Sequence, residues 1–269
     1  NVLEITRLAV AQDKMRDAVQ TLLRLEQDLR VARSIQQATF PDTLPSIDGF
    51  EFAAWSEPAD ETGGDTYDAV ALRDLGLDDR RVAFFLADAT GHGVGPALSV
   101  MQGRAMLRMA LRQGLRLEET LHLMNRQLVE DLATGRFVTA WLGMLDPRTR
   151  TLHARSAGQG PILWWHQGRL ETFPADVPPL GVIDDLNFEG TGKIILEPGD
   201  VVLVLSDGIF ERFNPDGEQF GVARVEAVMR SHGSSSASRL AAALRQEVDA
   251  FAQGIPAGDD QTGVIVRVR

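Results

Sequence analysis

The first 38 residues contain no glycine or proline, and apolar side chains recur there at intervals of three and four residues. Such spacing places the apolar side chains along one side of a helix and leaves the other sides polar. Because Pro41 forces the residue before it out of helical geometry, the pattern predicts one helix from residue 1 to about 38. Its apolar positions are Leu8, Ala11, Met15, Ala18, Leu22, Leu25, Leu29 and Ala32.

Two interpretations of this helix stay open at the level of the sequence. It is either an amphipathic helix packed on its own domain or a coiled-coil stem that dimerises and joins an upstream domain. The narrow, regular stripe favours the stem, although alanine at half of its positions makes a weak zipper. Since the chain begins with Asn1 instead of methionine, we expect an excised or processed part of a longer protein.

From residue 40 onward, short apolar runs typical of strands alternate with groups of helices. Strands are predicted at 50–55, 67–72, 82–87, 137–145, 151–156, 162–166, 169–173, 193–196, 201–205 and 263–268, and helices at 95–113, 117–132, 222–231 and 237–251, with a short one from 207. The order of these elements favours an α+β fold, in which helices cover packed antiparallel sheets, over alternating βαβ units.

The predicted helix at 95–113 carries an apolar stripe along one side, formed by Leu98, Met101, Ala105 and Met109. Methionine is also common on adaptable binding surfaces. We expect core packing for this stripe, because an amphipathic helix normally turns its apolar side inward.

Composition and charge exclude several classes of function. The net charge of −11 argues against nucleic acid or anionic lipid as the main partner, since phosphate groups are neutralised by basic surfaces. No apolar run is long enough to cross a bilayer and nothing resembles a signal peptide, so a cytoplasmic location is expected. The absence of cysteine excludes disulfides, thiolate zinc sites and cysteine nucleophiles.

The candidate chemistry lies in four short motifs in which aspartate is flanked by glycine. They read Gly63-Gly64-Asp65, Asp88-Ala89-Thr90-Gly91-His92-Gly93, Ser206-Asp207-Gly208 and Gly258-Asp259-Asp260-Gln261-Thr262. Any one of them alone is most simply a turn. Asp88 and Asp207, however, follow the two most apolar strands, where a carboxylate is desolvated unless something binds it.

Strand ends that meet at one edge of a sheet would bring these carboxylates together, and a divalent cation would then neutralise them. Oxygen ligands favour Mg²⁺ or Mn²⁺ over zinc. Two such ions about 3.5–4 Å apart would acidify a shared water and hold a phosphoryl group. This chemistry needs no protein nucleophile, which suits a chain without cysteine.

The motifs, in this order, resemble the PPM-type metal-dependent serine/threonine phosphatases, and more closely their bacterial SpoIIE/RsbU-type branch. The resemblance covers about residues 35–268 and rests on Ile35-Gln36-Gln37 with Phe40-Pro41, Gly63 to Asp68, Ala87 to Gly93, Asn125, Phe137-Val138-Thr139, Ala157 to Pro161, Ser206 to Gly208, Phe220-Gly221 and Asp259 to Thr262. No single motif is decisive, whereas the ordered set is specific. It implies an α-β-β-α sandwich of two packed, mainly antiparallel sheets that binds two Mn²⁺ or Mg²⁺ ions.

The resemblance also implies roles for individual residues. Asp88 corresponds to the ligand that bridges the ions, with the carbonyl of Ala89 beside it. Asp207 and Asp259 correspond to ligands of the first ion, and Asp65 to a ligand or water-holding group on the other side. The residues expected to support these ligands are Asp68, Asp260, Gly64 and Gly91.

In function, the resemblance implies hydrolysis of phosphoserine or phosphothreonine on a STAS-domain anti-sigma-factor antagonist by a metal-activated water. Upstream sensory or receiver domains commonly control such enzymes, so residues 1–38 are expected to form a helical linker that supports a homodimer, and residues 39–269 the phosphatase domain. Two alternatives are a catalytically silent phosphatase fold that relays a signal by partner binding and a purely structural dimeric scaffold.

Three features depart from the family pattern or fall outside it. Gln159 stands where many relatives have histidine, which removes a titratable group near the sheets. His92 is either a general acid or a loop histidine that caps a turn. No arginine is evident that would hold the substrate phosphate, so metal ions and backbone amides are expected to do so.

Overall fold

The computed structural model describes residues 2–77, 79–190 and 192–269, and in the first helix it describes side chains from residue 11 onward. The helices are α1 (Val2–Gln37), α2 (Val94–Arg112), α3 (Leu117–Asp131), α4 (Asp207–Phe210), α5 (Gly221–His232) and α6 (Ala237–Ala252). The strands are β1 (Phe50–Glu57), β2 (Asp65–Ala71), β3 (Val82–Ala89), β4 (Val138–Asp146), β5 (Thr151–Ala157), β6 (Ile162–His166), β7 (Arg169–Phe173), β8 (Lys193–Ile195), β9 (Val201–Leu205) and β10 (Gln261–Val268).

The strands form two antiparallel sheets, with the orders β1-β10-β9-β6-β7 and β2-β3-β4-β5-β8. Alternation along β3 shows why they pack, because Phe84 and Leu86 face the other sheet while Phe85 and Ala87 face the helices. One core lies between the sheets, a second lies under α2 and α3, and a third lies under α5 and α6. The predicted α-β-β-α sandwich is confirmed.

The long N-terminal helix is confirmed as α1, which stands largely away from the sandwich. The apolar stripe is exposed from Ala11 through Leu25, where Met15 and Leu22 are 70% and 65% exposed. Leu29 and Ala32 are half-buried, and Gln36 is buried. Leu8 lies outside the described side chains. The helix therefore does not pack along its described length on the sandwich, and its C-terminal end is the part that docks.

The expectation that Leu98, Met101, Ala105 and Met109 pack in the core is wrong. Leu98 and Met109 are 61% and 57% exposed, Ala105 is exposed and Met101 is half-buried. The buried side of α2 is the neighbouring one, which carries Ala97, Val100, Gly103, Leu107, Ala110 and Leu111. Because α2 is apolar around much of its circumference, periodicity alone did not distinguish the two sides. Among the described residues, no helix has both the length and the apolar character needed to span a membrane.

Candidate metal centre

Strand pairing brings the first two aspartate motifs together. Asp65 at the start of β2 is the direct antiparallel partner of Asp88 near the end of β3. Asp65 lies on the same face of its strand as Tyr67, and Asp88 on the same face as Leu86, and both faces look toward the other sheet. Side chains directly opposite each other in such a pair have Cβ atoms about 4.5–5.5 Å apart. The two carboxylates therefore share one edge of the gap between the sheets.

The other two motifs meet on the neighbouring sheet, where β9 and β10 pair. The Ser206 N–H donates to the Thr262 carbonyl over 2.8 Å, and the Ser206 hydroxyl donates to the Asp260 carbonyl over 3.0 Å. A methyl group on Gly208 would lie 2.1 Å from that Asp260 carbonyl oxygen, so the two backbones are in direct contact. Asp207, which begins α4, is thus held beside Asp259.

Asp260 joins the two pairs of motifs. Its carboxylate accepts hydrogen bonds from the Ala59 N–H over 2.7 Å and from the Asp65 N–H over 3.2 Å. The same carboxylate lies against Gly63, where an added Cβ would meet it at 2.7 Å. The fourth motif therefore fixes the backbone of the first across the gap between the sheets. All four motifs lie at one end of the sandwich.

Burial and mutual repulsion perturb these acids strongly. Burial raises the pKa of Asp88 to about 8, and the negative charges of Asp207, Asp259 and Asp260 add to this effect. The pKa of Asp65 is raised well above its usual range by burial and then by Asp88, while the hydroxyls of Thr262 and Ser206 act in the opposite direction. Burial, then Asp259 and Glu211, likewise raise the pKa of Asp207. A cation at this edge would reverse these shifts.

The residues present fit a hard divalent cation. Asp65 is 2% exposed, and its Oδ2 atom has no hydrogen-bond partner within the part of the chain that the structure describes. The backbone carbonyls of Ala89 and Gly91 lie close to the Gly64 backbone, since a Cβ on Gly64 would lie 2.9 and 3.0 Å from them. Carboxylate and carbonyl oxygens are the donors that Mg²⁺ and Mn²⁺ prefer.

Within residues 2–77, 79–190 and 192–269, no three histidine, cysteine or acidic side chains already converge as a finished metal site. The acids share one region without pointing at one position, as expected for like charges that repel one another. The geometry supports a place for a metal at this edge of the sandwich.

Asp68, which was expected to support the ligands, lies on the opposite face of β2 from Asp65. It is 1% exposed and pairs with Arg108 through two hydrogen bonds of 2.6 Å, while the Arg104 Nε lies 3.1 Å away. The structure therefore places Asp68 in a contact that joins β2 to α2. It does not bring Asp68 to the other acids.

The residues singled out as departures also have defined places. His92 is exposed at the rim, with its Nδ1 2.8 Å from Asp60. Gln159 is buried, accepts a hydrogen bond from the Thr139 hydroxyl over 2.7 Å and donates one to the Leu205 carbonyl over 2.9 Å. The Gln159 amide thereby links β4 of one sheet to β9 of the other behind the acids. It does so with one donor and one acceptor group.

Sequence reasoning missed two polar side chains that contact glycines in the first motif and just after the second. The buried amide of Gln36, at the end of α1, bonds to both backbone polar groups of Gly63. Arg136 in the loop before β4 places Nη1 against Gly95, 2.9 Å from where a Cβ would be. Gln36 did stand in one of the motifs, whereas Arg136 has no local pattern that indicates such a position.

The family model described as Stage II sporulation protein E (SpoIIE) matches residues 78–269. The chain belongs to this family. It is 24% identical over 194 residues to phosphoserine phosphatase RsbP of Bacillus subtilis. This alignment covers 70% of this chain and 46% of RsbP. It is 23% identical over 198 residues to phosphoserine phosphatase RsbU of the same organism. This alignment covers 71% of this chain and 57% of RsbU. The chain thus spans about half the length of these curated relatives.

Solved structures show the same fold. The SiaA-PP2C domain of Pseudomonas aeruginosa superposes with a TM-score of 0.77 at 22% identity and covers 93% of this chain and 99% of that domain. The PP2C phosphatase domain of SpoIIE from Bacillus subtilis, solved together with a fragment of its regulatory domain, gives a TM-score of 0.70 at 20% identity, and the match covers 84% of this chain and 64% of that chain. RsbX in complex with magnesium gives a TM-score of 0.61 at 13% identity, and the match covers 84% of this chain and 99% of RsbX.

Proposed function

We propose that this chain is a divalent-metal-dependent phosphoprotein phosphatase that hydrolyses phosphoserine or phosphothreonine. The observation that carries the proposal is the gathering of four remote aspartate motifs at one edge of the sandwich, where the Oδ2 atom of Asp65 has no hydrogen-bond partner within the described part of the chain. The RsbP and RsbU relatives are named phosphoserine phosphatases, which supports the same reaction class. Residues 39–269 form the phosphatase domain in this proposal.

In this proposal the metal is bound by aspartate side chains and one backbone carbonyl. Asp88, with the Ala89 carbonyl beside it, would hold the central position, with Asp207 and Asp259 as ligands on one side and Asp65 on the other. Bound Mn²⁺ or Mg²⁺, two ions in this proposal, would supply an acidified water and neutralise charge on the phosphoryl group. The buried carboxyl groups with raised pKa release their protons when they bind a cation, so metal affinity increases with pH.

The expected substrate is a phosphorylated STAS-domain protein, and the expected regulator is a sensory or receiver domain upstream of α1. Both Bacillus relatives are named phosphoserine phosphatases, and they are about twice as long as the region that matches this chain. The exposed apolar stripe of α1 supports a homodimer through residues 1–38. A silent binding module is the competing proposal, yet it gives no reason for a buried Asp65 carboxylate whose Oδ2 atom has no hydrogen-bond partner among the described residues.

Phosphate release from a phosphoserine STAS-domain protein tests the proposal. Wild-type protein is expected to release phosphate with Mn²⁺ or Mg²⁺ and to stop after chelation. Asp88→Asn and Asp207→Asn each remove a direct ligand and should lower the rate at least about 100-fold, more than the loss of an outer partner does. Asp249→Asn, on an exposed turn of α6, is the matched control. Unchanged activity after chelation or in Asp88→Asn rules out the metal mechanism, and inactivity of the wild type favours the binding module.

A further inference from the structure

The C-terminal end of α1 makes a buried polar contact with the sandwich. In this contact both the nitrogen and the oxygen of one side-chain amide have a hydrogen-bond partner. Gln36 is 5% exposed, its Nε2 donates to the Gly63 carbonyl over 2.7 Å, and its Oε1 accepts from the Gly63 N–H over 3.2 Å. Gln37, one residue further along the helix, is exposed. A side-chain amide that satisfies both polar groups of one peptide residue fixes the position of that residue in two directions.

Gly63 lies two residues before Asp65, in a segment whose shape depends on its partners. Gly63 and Gly64 have no side chains that would restrict or anchor their backbone. The polar groups of the segment are held instead by Gln36 at Gly63, by the Ala89 N–H at the Gly64 carbonyl over 3.0 Å, and by the Asp260 carboxylate at the Asp65 N–H. Gln36 is the partner in this set that comes from α1.

A second contact and a cavity accompany this one. The rings of Phe40 and Tyr67 stack with centroids 4.9 Å apart, so the segment after α1 also packs on β2. A cavity of about 170 Å³ lies between the end of α1 and the sandwich, and its lining runs from Arg33 and Gln36 to Asp65. Water that entered there after loss of the Gln36 amide would compete for the Gly63 groups and reach the metal-facing carboxylate.

We propose that Gln36 is a positioning residue for the metal centre: its amide fixes the Gly63 backbone and thereby holds the Asp65 carboxylate where it binds a divalent cation. The inference rests on the proposed function, since it assumes that the acids bind metal. Residues that orient a ligand from one layer further out typically change metal affinity about 10–100-fold when they are lost. In this proposal Gln36, on α1, orients the ligand Asp65 through the Gly63 backbone.

The test measures Mn²⁺ binding to the metal-free full chain, from the electron paramagnetic resonance signal of free Mn²⁺. Gln36→Met keeps the volume and removes both hydrogen bonds, Gln36→Ala is a second variant, and Gln27→Met, at an exposed position of the same helix away from the cavity, is the matched control. We expect a Kd about tenfold higher in both Gln36 variants and an unchanged Kd in the control. In an Asp65→Asn background the Gln36 substitutions should change the Kd by less than about twofold, because the two residues act through one contact.

A purely structural role for Gln36 would lower the melting temperature without this dependence on Asp65. A Kd in the folded Gln36 variants within about twofold of wild type overturns the inference, and so does an equal effect in the Asp65→Asn background. Failure of both Gln36 variants to fold overturns it as well, since Gln36 would then hold the whole domain. Absence of Mn²⁺ binding by the wild type overturns the proposed function together with this inference, whereas binding that ignores Gln36 overturns this inference alone.

Discussion

At the scale of single residues, the acid edge depends on glycines that allow backbones to touch. A Cβ at Gly208 would lie 2.1 Å from the Asp260 carbonyl oxygen, and the neighbouring atoms are backbone that has little freedom to move. Gly258 lies beside Asp259 with no atom within 4 Å of an added Cβ and without the positive φ that disfavours other residues. The two glycines therefore form a matched pair for substitution.

We expect Gly208→Ala to lower the free energy of unfolding by about 3 kcal/mol, at the upper end of the cost of overfilling a packed site. Gly258→Ala should change it by less than about 0.5 kcal/mol. Urea denaturation of both variants without metal gives the comparison. Equal stability of the two variants would show that α4 and the segment before β10 separate easily, contrary to the contact described above.

At the scale of elements, β6 and the turn before β9 are joined by a buried carboxylate. The His166 Nδ1 lies 2.8 Å from Asp200, which also accepts hydrogen bonds from the Trp164 indole and the Glu197 N–H. The pKa of His166 is raised by the hydrogen bond to Asp200, with desolvation opposing it and the charges of Asp200, Glu197 and Glu171 adding to it. The protonated imidazole is therefore favoured in the folded protein.

Because the folded pKa of His166 lies above its unfolded value of about 6.5, this pair contributes stability that is fully present below that pH. The contribution is lost as the pH rises through the folded pKa. We expect His166→Asn to destabilise the protein more at about pH 6 than at about pH 9. Urea unfolding of wild type and variant at both pH values measures the difference. His232→Asn is the control variant, because the His232 side chain is partly buried and makes no hydrogen bond or ion pair within the described residues.

Elements were predictable because each has a local pattern, whereas the faces of elements were predictable only in part. The apolar run at 82–87 correctly indicated a strand buried on both sides. Alternation along β2 already separates Asp65 from Asp68 onto opposite faces, yet proximity in the motif suggested that Asp68 would support the ligands. On α2 two adjacent sides are apolar, so the core-facing side became known only from the position of the sheet.

At the scale of the whole molecule, the gathering of the acids followed from strand ends, because Asp65, Asp88 and Asp207 each adjoin a strand that ends at the same edge. The contacts that hold this edge together were not predictable. Gln36 and Gly63 are 27 residues apart, and Asp260 reaches Ala59 across 201 residues. Such pairs depend on how the two sheets and α1 are placed relative to one another, and no local spacing encodes that placement.

The exposed stripe of α1 leads to a prediction about assembly. Met15 and Leu22 lie on the stripe and are 70% and 65% exposed, while Leu23 is 59% exposed on an adjacent side of the same turn. If residues 1–38 pair with a second copy through the stripe, the dimer buries Leu22 of both copies, whereas Leu23 stays exposed to water. Leu22→Lys should then weaken the dimer by roughly 3 kcal/mol, which is over 100-fold in Kd.

Sedimentation velocity over a range of concentrations measures this effect. The wild-type chain is expected to sediment as a dimer, Leu22→Lys and Met15→Lys should shift toward monomer, and Leu23→Lys should resemble the wild type because its side chain lies outside the seam. A chain that begins at Thr39 should be monomeric at every concentration. Identical monomeric sedimentation of the full chain and the shortened one would contradict a coiled-coil stem, and equal effects at Leu22 and Leu23 would place the contact on a different side of α1.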